Sequence, residues 1–335
     1  MAERLASSPN PYVFVVGCQR SGTTLTERLL DAHPGIAMTH ETRWIPELFQ
    51  DRSSVTRAGL ITPQLAATLL AHTRFANLGI SREQVEQLAG PERPVHYSTF
   101  VSRLFDLYGR QRGKRLVGDK TPRYARCVDL LHQLWPGARF LHVIRDGRDV
   151  YASRKAMDQR RDASRGSTWR QHPALSAGLW WTVYVRVARE AGAALGPGRY
   201  HELRYEALVE DTAKECEALC AFLDVPYDPA MLHFHQRSHN SRAPSSRSAG
   251  SRKRLPVTAG LRNWRSELSQ QEVVQFEATG GDLLDELGYD RSTPAFDDRT
   301  LRQAAEVRAI FSDEMRRRGR TLPRGWDDQW TQHVR

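Results

Sequence analysis

The sequence predicts an α/β fold with a central parallel sheet flanked by helices. Three observations carry that expectation. A β-branched and aromatic run enters a glycine-bracketed turn and then a helix near the N-terminus. A second strand–turn–helix unit appears near residue 140, and a third strand near residue 200 again precedes a helix. Strands alternating with helices pair in parallel, because each crossover helix packs back on the sheet.

In chain order, YVFVVG (Tyr12 to Gly17) reads as a buried strand. Gly22 opens TTLTERLLDAH, with Leu25, Leu29 and Leu30 on one helical face and His33-Pro34 at its end. A short second strand precedes Glu41. Residues 52–112 read as a helical insertion, with helices from Leu65 to Arg112 broken at Gly79, Gly90 and Pro94. ARFLHVIRDGRDVYASRK supplies a strand (Phe140 to Ile144), a turn at Asp146-Gly147 and a helix through Val150 and Ser153. A long helix starts near Pro173. The third strand spans Arg199 to Tyr205, and the following helix places Cys216 and Cys220 one turn apart. Residues 236–256, rich in Ser and Arg and free of acids, read as a mobile basic loop. Residues 291–335 read as a C-terminal tail with no recognisable chemistry. No repeat or linker divides the chain, so 1–335 is expected to be a single domain with its core at about 11–290.

At 335 residues, with 40% hydrophobic and 26% charged residues, the composition is that of a globular protein. No apolar run is long enough to span a bilayer, and the N-terminus lacks the apolar stretch of a secretory signal. The four cysteines show neither metal-ligand nor disulfide-framework spacing, so no metal is expected and a reducing, cytoplasmic setting is. The net charge of +10 suits anionic ligands. No helix-turn-helix, zinc or aromatic RNA-reading motif accompanies it, which argues against nucleic acid as the partner.

The turn itself reads VVGCQRSGTT (Val15 to Thr24). Gly17 and Gly22 keep the spacing of a phosphate-binding P-loop, so the sheet is P-loop-like. Thr23, however, stands where a nucleotide triphosphatase has lysine. Such a turn still offers backbone N–H groups and a helix dipole to an anion. Ser21, Thr23 and Thr24 add hydroxyls, and Arg20 adds a guanidinium fork. Without the lysine, or a magnesium aspartate, the loop suits a phosphosulfate better than a triphosphate. In the second unit, Arg145 ends a strand and Ser153 follows eight positions later, so both can face a second phosphate at the sheet's carboxyl edge.

With both motifs in place, the sequence resembles the sulfotransferases that use 3′-phosphoadenosine 5′-phosphosulfate. It is most similar to the tyrosylprotein sulfotransferases and their bacterial relatives. FVVGCQRSGTTLTERLLDAHPGIAMTHETRWIP matches them almost continuously, and RDGRDVYAS matches their second motif. RYEALVEDTAKECEALCAFLDVPYDPAML and GLRNW resemble later segments more loosely. The resemblance implies that Arg20, Ser21, Gly22, Thr23 and Thr24 bind the 5′-phosphosulfate and that Arg145 and Ser153 bind the 3′-phosphate. It makes Glu41 the catalytic base, with Lys120 and Arg20 stabilising the transferring group. It places Arg252, Lys253 or Arg254 over the donor and implies no metal; in departure from the secretory-pathway members, no membrane anchor or disulfides are expected. It leaves a homodimer open. The helical insertions would form the acceptor side, and the acceptor would carry a hydroxyl, on a protein tyrosine or on a small phenol or alcohol.

Alternatives stand beside these assignments. His40 is a rival base, because imidazole as a side-chain type suits proton transfer near neutrality. Asp119 either orients Lys120 or occupies a turn, and Arg43 either steadies Glu41 or pairs elsewhere. Trp44, Trp180 and Trp181 line an acceptor pocket or belong to the core. The family serine near the active site has no unambiguous counterpart, with Ser248, Ala249 and Ser251 flanking its position. A small-molecule or nucleoside kinase, or a non-catalytic nucleotide-binding protein, is the alternative to a sulfotransferase.

Overall fold

The protein is described by a computed structural model covering residues 11–90, 94–158, 167–236 and 263–327. The chain begins with β1 (Val13–Gly17), α1 (Thr23–Ala32), β2 (Ile36–His40) and α2 (Trp44–Gln50). It continues with α3 (Gln64–Ala71), α4 (Arg82–Ala89), α5 (Tyr97–Arg110), β3 (Leu116–Lys120) and α6 (Val128–Leu134). Next come β4 (Arg139–Ile144), α7 (Gly147–Asp158), α8 (Ser167–Gln171), α9 (Pro173–Leu195), β5 (Tyr200–Arg204), α10 (Tyr205–Glu210) and α11 (Thr212–Leu223). α12 (Trp264–Glu267), α13 (Gln270–Glu286) and α14 (Asp298–Arg317) follow.

The five strands form one parallel sheet in the order β2-β3-β1-β4-β5. Side chains alternate across β1, and the two cores follow that alternation. Phe14 and Val16 face the cluster built with α5, α9 and α13, whereas Val13 and Val15 face Leu29, Leu30, Leu219 and Cys220 of α1 and α11. Because every strand runs the same way, Gly17, His40, Lys120, Ile144 and Arg204 all end at one edge. The chain leaves β1 toward β2 and β3 on one side and reaches β4 and β5 on the other. That reversal opens a crevice beyond the carboxyl ends around β1.

Three local readings change. Asp119 does not occupy a turn: Gly118, Asp119 and Lys120 belong to β3, paired with β1 and β2. The strand expected over Arg199 to Tyr205 stops at Arg204, because Tyr205 turns directly into α10. Much of the expected tail is structured. Val307, Phe311 and Met315 of α14 pack with Leu175, Leu179 and Val183 of α9, and Trp326 closes the cluster. The apolar residues of α14 recur at helical spacing, which buries one face.

Candidate active site

The loop between β1 and α1 is held by its neighbours. A Cβ on Gly17 would lie 2.5 Å from the Val143 carbonyl oxygen of β4, and one on Gly22 would lie 2.2 Å from the Tyr205 ring. Gly22 also has φ +102°, a conformation that L side chains rarely adopt. Arg20, although not glycine, has φ +82°. The Ser21 N–H donates to the Cys18 carbonyl at 3.1 Å, closing the turn. The Ser21 hydroxyl is buried and has no hydrogen-bond partner among the described residues. Thr23 and Thr24 form the first turn of α1. A pre-bent loop with an orphaned hydroxyl fits an oxyanion.

From the second motif, Ser153 reaches this loop: Arg20 donates from Nε to Ser153 Oγ at 3.1 Å. Arg145 pairs with Asp149 at 3.0 Å, and its guanidinium lies 4.3 Å from the centroid of the Tyr205 ring. Arg145 Nε is buried without a partner among the described residues. Tyr205 therefore touches both motifs, with the loop glycine and Arg145 against one ring. Sequence reasoning missed it; its position at the carboxyl end of β5 was the available signal. Asp149 also accepts from the Trp264 backbone N–H at 2.8 Å, which brings the GLRNW segment's end to Arg145. Arg252, Lys253 and Arg254, like Ser248, Ala249 and Ser251, lie outside the described residues.

The chemistry-bearing groups converge on Lys120. Its side chain is 0% exposed, and Nζ lies 3.1 Å from Glu27 Oε2, 3.3 Å from Thr24 Oγ1 and 3.4 Å from Glu41 Oε1. Strand alternation sends its neighbour Asp119 the other way. Asp119 accepts from Thr39 Oγ1 at 2.7 Å and from the Thr42 N–H at 3.3 Å. Since the Glu41 N–H bonds the Lys120 carbonyl at 2.9 Å, Glu41 is pinned on both sides of its Cα, at φ +48°. Arg43 also has positive φ, at +59°, and its guanidinium closes an ion pair with Glu41. Arg74 adds a longer contact to Glu41 at 3.9 Å. Backbone strain at three side chains of one crevice is what a site held by its surroundings shows.

Burial pushes the Glu41 carboxyl up, but the Lys120 and Arg43 charges outweigh it and hold the pKa at about 2. Burial likewise opposes ionisation of Glu27, and Lys120 and His40 overcome it, so its pKa falls below the usual carboxylate range. His40 Nδ1 lies 2.8 Å from Glu27 Oε1. The rival base is thus engaged with Glu27, a residue the sequence reading did not single out. The remaining aromatic candidates divide. Trp44 and Trp181 are fully buried, and Trp181 Nε1 donates to the Arg145 carbonyl, so both are core residues. Trp180 is only partly buried.

The model of the sulfotransferase family matches residues 11–229. The chain belongs to the sulfotransferase family. It is 30% identical over 315 residues to the nodulation protein NoeE of Sinorhizobium fredii, covering 85% of this chain and 68% of that one. It is 26% identical over 286 residues to protein-tyrosine sulfotransferase A of Caenorhabditis elegans, covering 84% and 68%. Among solved structures, the sulfotransferase domain of the Synechococcus PCC 7002 olefin synthase shares the fold, with a TM-score of 0.58 and 22% identity. That match covers 85% of this chain and 96% of that one. As a sulfotransferase, the protein is an enzyme that transfers a sulfuryl group to an acceptor hydroxyl. Thr23 at the Walker lysine position agrees with this chemistry, and the cation near the loop comes from β3 instead.

Proposed function

We propose that the enzyme takes its sulfuryl group from 3′-phosphoadenosine 5′-phosphosulfate and passes it to a phenolic or alcoholic hydroxyl, with Glu41 as the base. The observation that carries this reading is Lys120 Nζ, shut off from water between Thr24 of the anion loop and Glu41. One ammonium group thereby links the donor side to the acceptor side.

The residues present fit such a donor. Arg20, Ser21, Gly22, Thr23 and Thr24 would hold the 5′-phosphosulfate, and the unpartnered Ser21 hydroxyl gains an acceptor there. Arg145, with its unpartnered Nε, and Ser153 would hold the 3′-phosphate. When bound, the donor supplies a sulfuryl group whose S–O bond to the phosphate breaks.

Glu41 takes the proton from the acceptor oxygen. Lys120 and Arg20 offset charge on the sulfuryl oxygens and the leaving oxygen, an effect strengthened by exclusion of water. Glu27 and His40 hold Lys120 in place from behind. A carboxylate with pKa of about 2 is a poor base while Arg43 grips it. Acceptor entry that loosens the Arg43 contact makes Glu41 more basic at the moment it is needed. Transfer is metal-independent, and the unpaired cysteines fit a reducing, cytoplasmic compartment.

The test uses sulfur-labelled donor with a cell extract split by size, and acidic tyrosine peptides in parallel. Label in peptides or macromolecules identifies a tyrosine acceptor, and label only in the small fraction identifies a metabolite. Glu41→Gln should bind adenosine 3′,5′-bisphosphate normally and transfer no label. Transfer that survives in Glu41→Gln and disappears in His40→Ala would reverse the assignment of the base.

A further inference from the structure

Two positions past Lys120 the chain enters a short 3₁₀ helix, Pro122–Arg126. Buried Tyr124 fixes it beside the residues that follow Glu41: its hydroxyl bonds Thr42 Oγ1 at 2.9 Å and accepts from the Ile45 N–H at 3.2 Å. On the other side this helix meets α9. The Arg126 guanidinium lies 5.2 Å from the Tyr184 ring and 5.9 Å from the Trp180 ring. Arg320, just past α14, lies 5.5 Å from Trp180.

Among the described residues, no carboxylate forms an ion pair with Arg123, Arg126 or Arg320, and buried Arg126 Nε has no hydrogen-bond acceptor. The neighbouring Arg318 does have one, Glu314 at 2.6 Å. Burial lowers the Arg320 pKa, and the charges of Arg126, Arg318 and Arg123 lower it further, so these guanidinium groups repel one another. Unneutralised cations against an aromatic surface are costly unless an anion joins them. Guanidinium forks match carboxylate and phosphate oxygens two at a time. The glutamates of the catalytic network already have their cations, so the excess positive charge lies outside that network.

We propose that Arg126 and Arg320, over the surface made by Trp180 and Tyr184, with the charge of Arg123 beside them, bind an oxyanion group, carboxylate or phosphate, carried by the acceptor. The site lies on the far side of the 3₁₀ helix from Glu41. It selects acceptors whose acidic group is separated from the reacting hydroxyl and joined to it by an apolar or aromatic portion. The acceptor part of this assignment rests on the sulfotransferase reading of the crevice; the anion site itself does not.

The test titrates the full chain, saturated with adenosine 3′,5′-bisphosphate, with phenyl phosphate and with 3-phenylpropanoate. Tryptophan fluorescence and heat are the signals. At least one of the two should bind, and Arg126→Gln with Arg320→Gln should weaken it by about tenfold or more. Bisphosphate affinity should stay unchanged. Response to phenyl phosphate alone marks a phosphoryl-bearing acceptor, and response to 3-phenylpropanoate a carboxylate-bearing one. If the double variant does not fold, Arg126→Lys carries the test, because it keeps the charge, loses the fork and should still lose affinity. Binding of neither anion, or binding unchanged in the variants, overturns the proposal. Should the bisphosphate itself fail to bind, the donor assignment falls while the arginine titration still reads out.

Discussion

Lys120 and Arg148 are both cations removed from solvent, with side chains 0% and 2% exposed. Their partners differ. Arg148 donates from Nε to Asp146 Oδ1 at 3.0 Å, from Nη2 to Asp146 Oδ2 at 2.7 Å and from Nη1 to Glu277 Oε1 at 2.7 Å. Another Nη1 bond reaches the Asp290 carbonyl at 2.8 Å, and Glu277 also accepts the Ser292 and Thr293 N–H groups. This closed set ties α7 to α13 and the turn after it. Lys120 has longer contacts, all above 3 Å, to groups on two segments, α1 and the turn after β2, and Glu41 is 20% exposed. A structural buried cation has short bonds to fixed acceptors, whereas Lys120 keeps contacts that a ligand can replace.

The largest effect should come from removing the proposed base: Glu41→Gln is expected to lower kcat by about 10³-fold, measured with labelled donor. Lys120→Met should lower kcat by about 10²- to 10³-fold. It should unfold at nearly the wild-type denaturant concentration, because Glu27 keeps His40 and Glu41 keeps Arg43. Arg148→Met should do the opposite. Leaving Asp146 and Glu277 buried without their cation should cost about 3–5 kcal/mol in chemical denaturation, with activity per folded molecule retained. A Lys120→Met protein as unstable as Arg148→Met would erase the distinction between the two cations.

Glu27→Gln should lower kcat by about tenfold with donor affinity intact, since it loosens Lys120 without touching the donor. The smallest effect concerns pH. Arg43→Ala removes a cation from Glu41, so the acid limb of kcat/KM should move to higher pH. The same depressed pKa gives a stability contribution present above the unfolded value near 4.5 and lost as pH falls through about 2. Acid unfolding of Arg43→Ala should therefore begin at higher pH than in the wild type.

Much of the geometry of the anion loop and the second motif was legible because it is local. β1, its loop and α1 are contiguous, and the spacing from Arg145 to Ser153 lies within one strand–helix unit. The resemblance to known sulfotransferases singled out Glu41 and Lys120. The partners of those residues were less legible. Asp119 looked like a candidate to orient Lys120 because it is adjacent, yet pleating turns adjacent strand residues to opposite faces. Glu27 carries no motif signal in the sequence, and its meeting with Lys120 spans the pairing of β1 with β3. Trp180 and Trp181 are neighbours in sequence, but one is core and the other faces arginines from two distant segments.

Sequence alone determined the parallel α/β architecture, the anion loop, the order of its two motifs and the sulfotransferase resemblance. The architecture, the loop and the motif order follow from short-range periodicity, turn chemistry and residue spacing, and the resemblance from long contiguous motif matches. Only the tertiary structure decided that Lys120 is buried between Glu27 and Glu41, that Tyr205 joins the anion loop to Arg145, and that Arg126 and Arg320 share one surface. Those contacts join residues from about 60 to nearly 200 positions apart, and strand order and helix packing, not local pattern, bring them together.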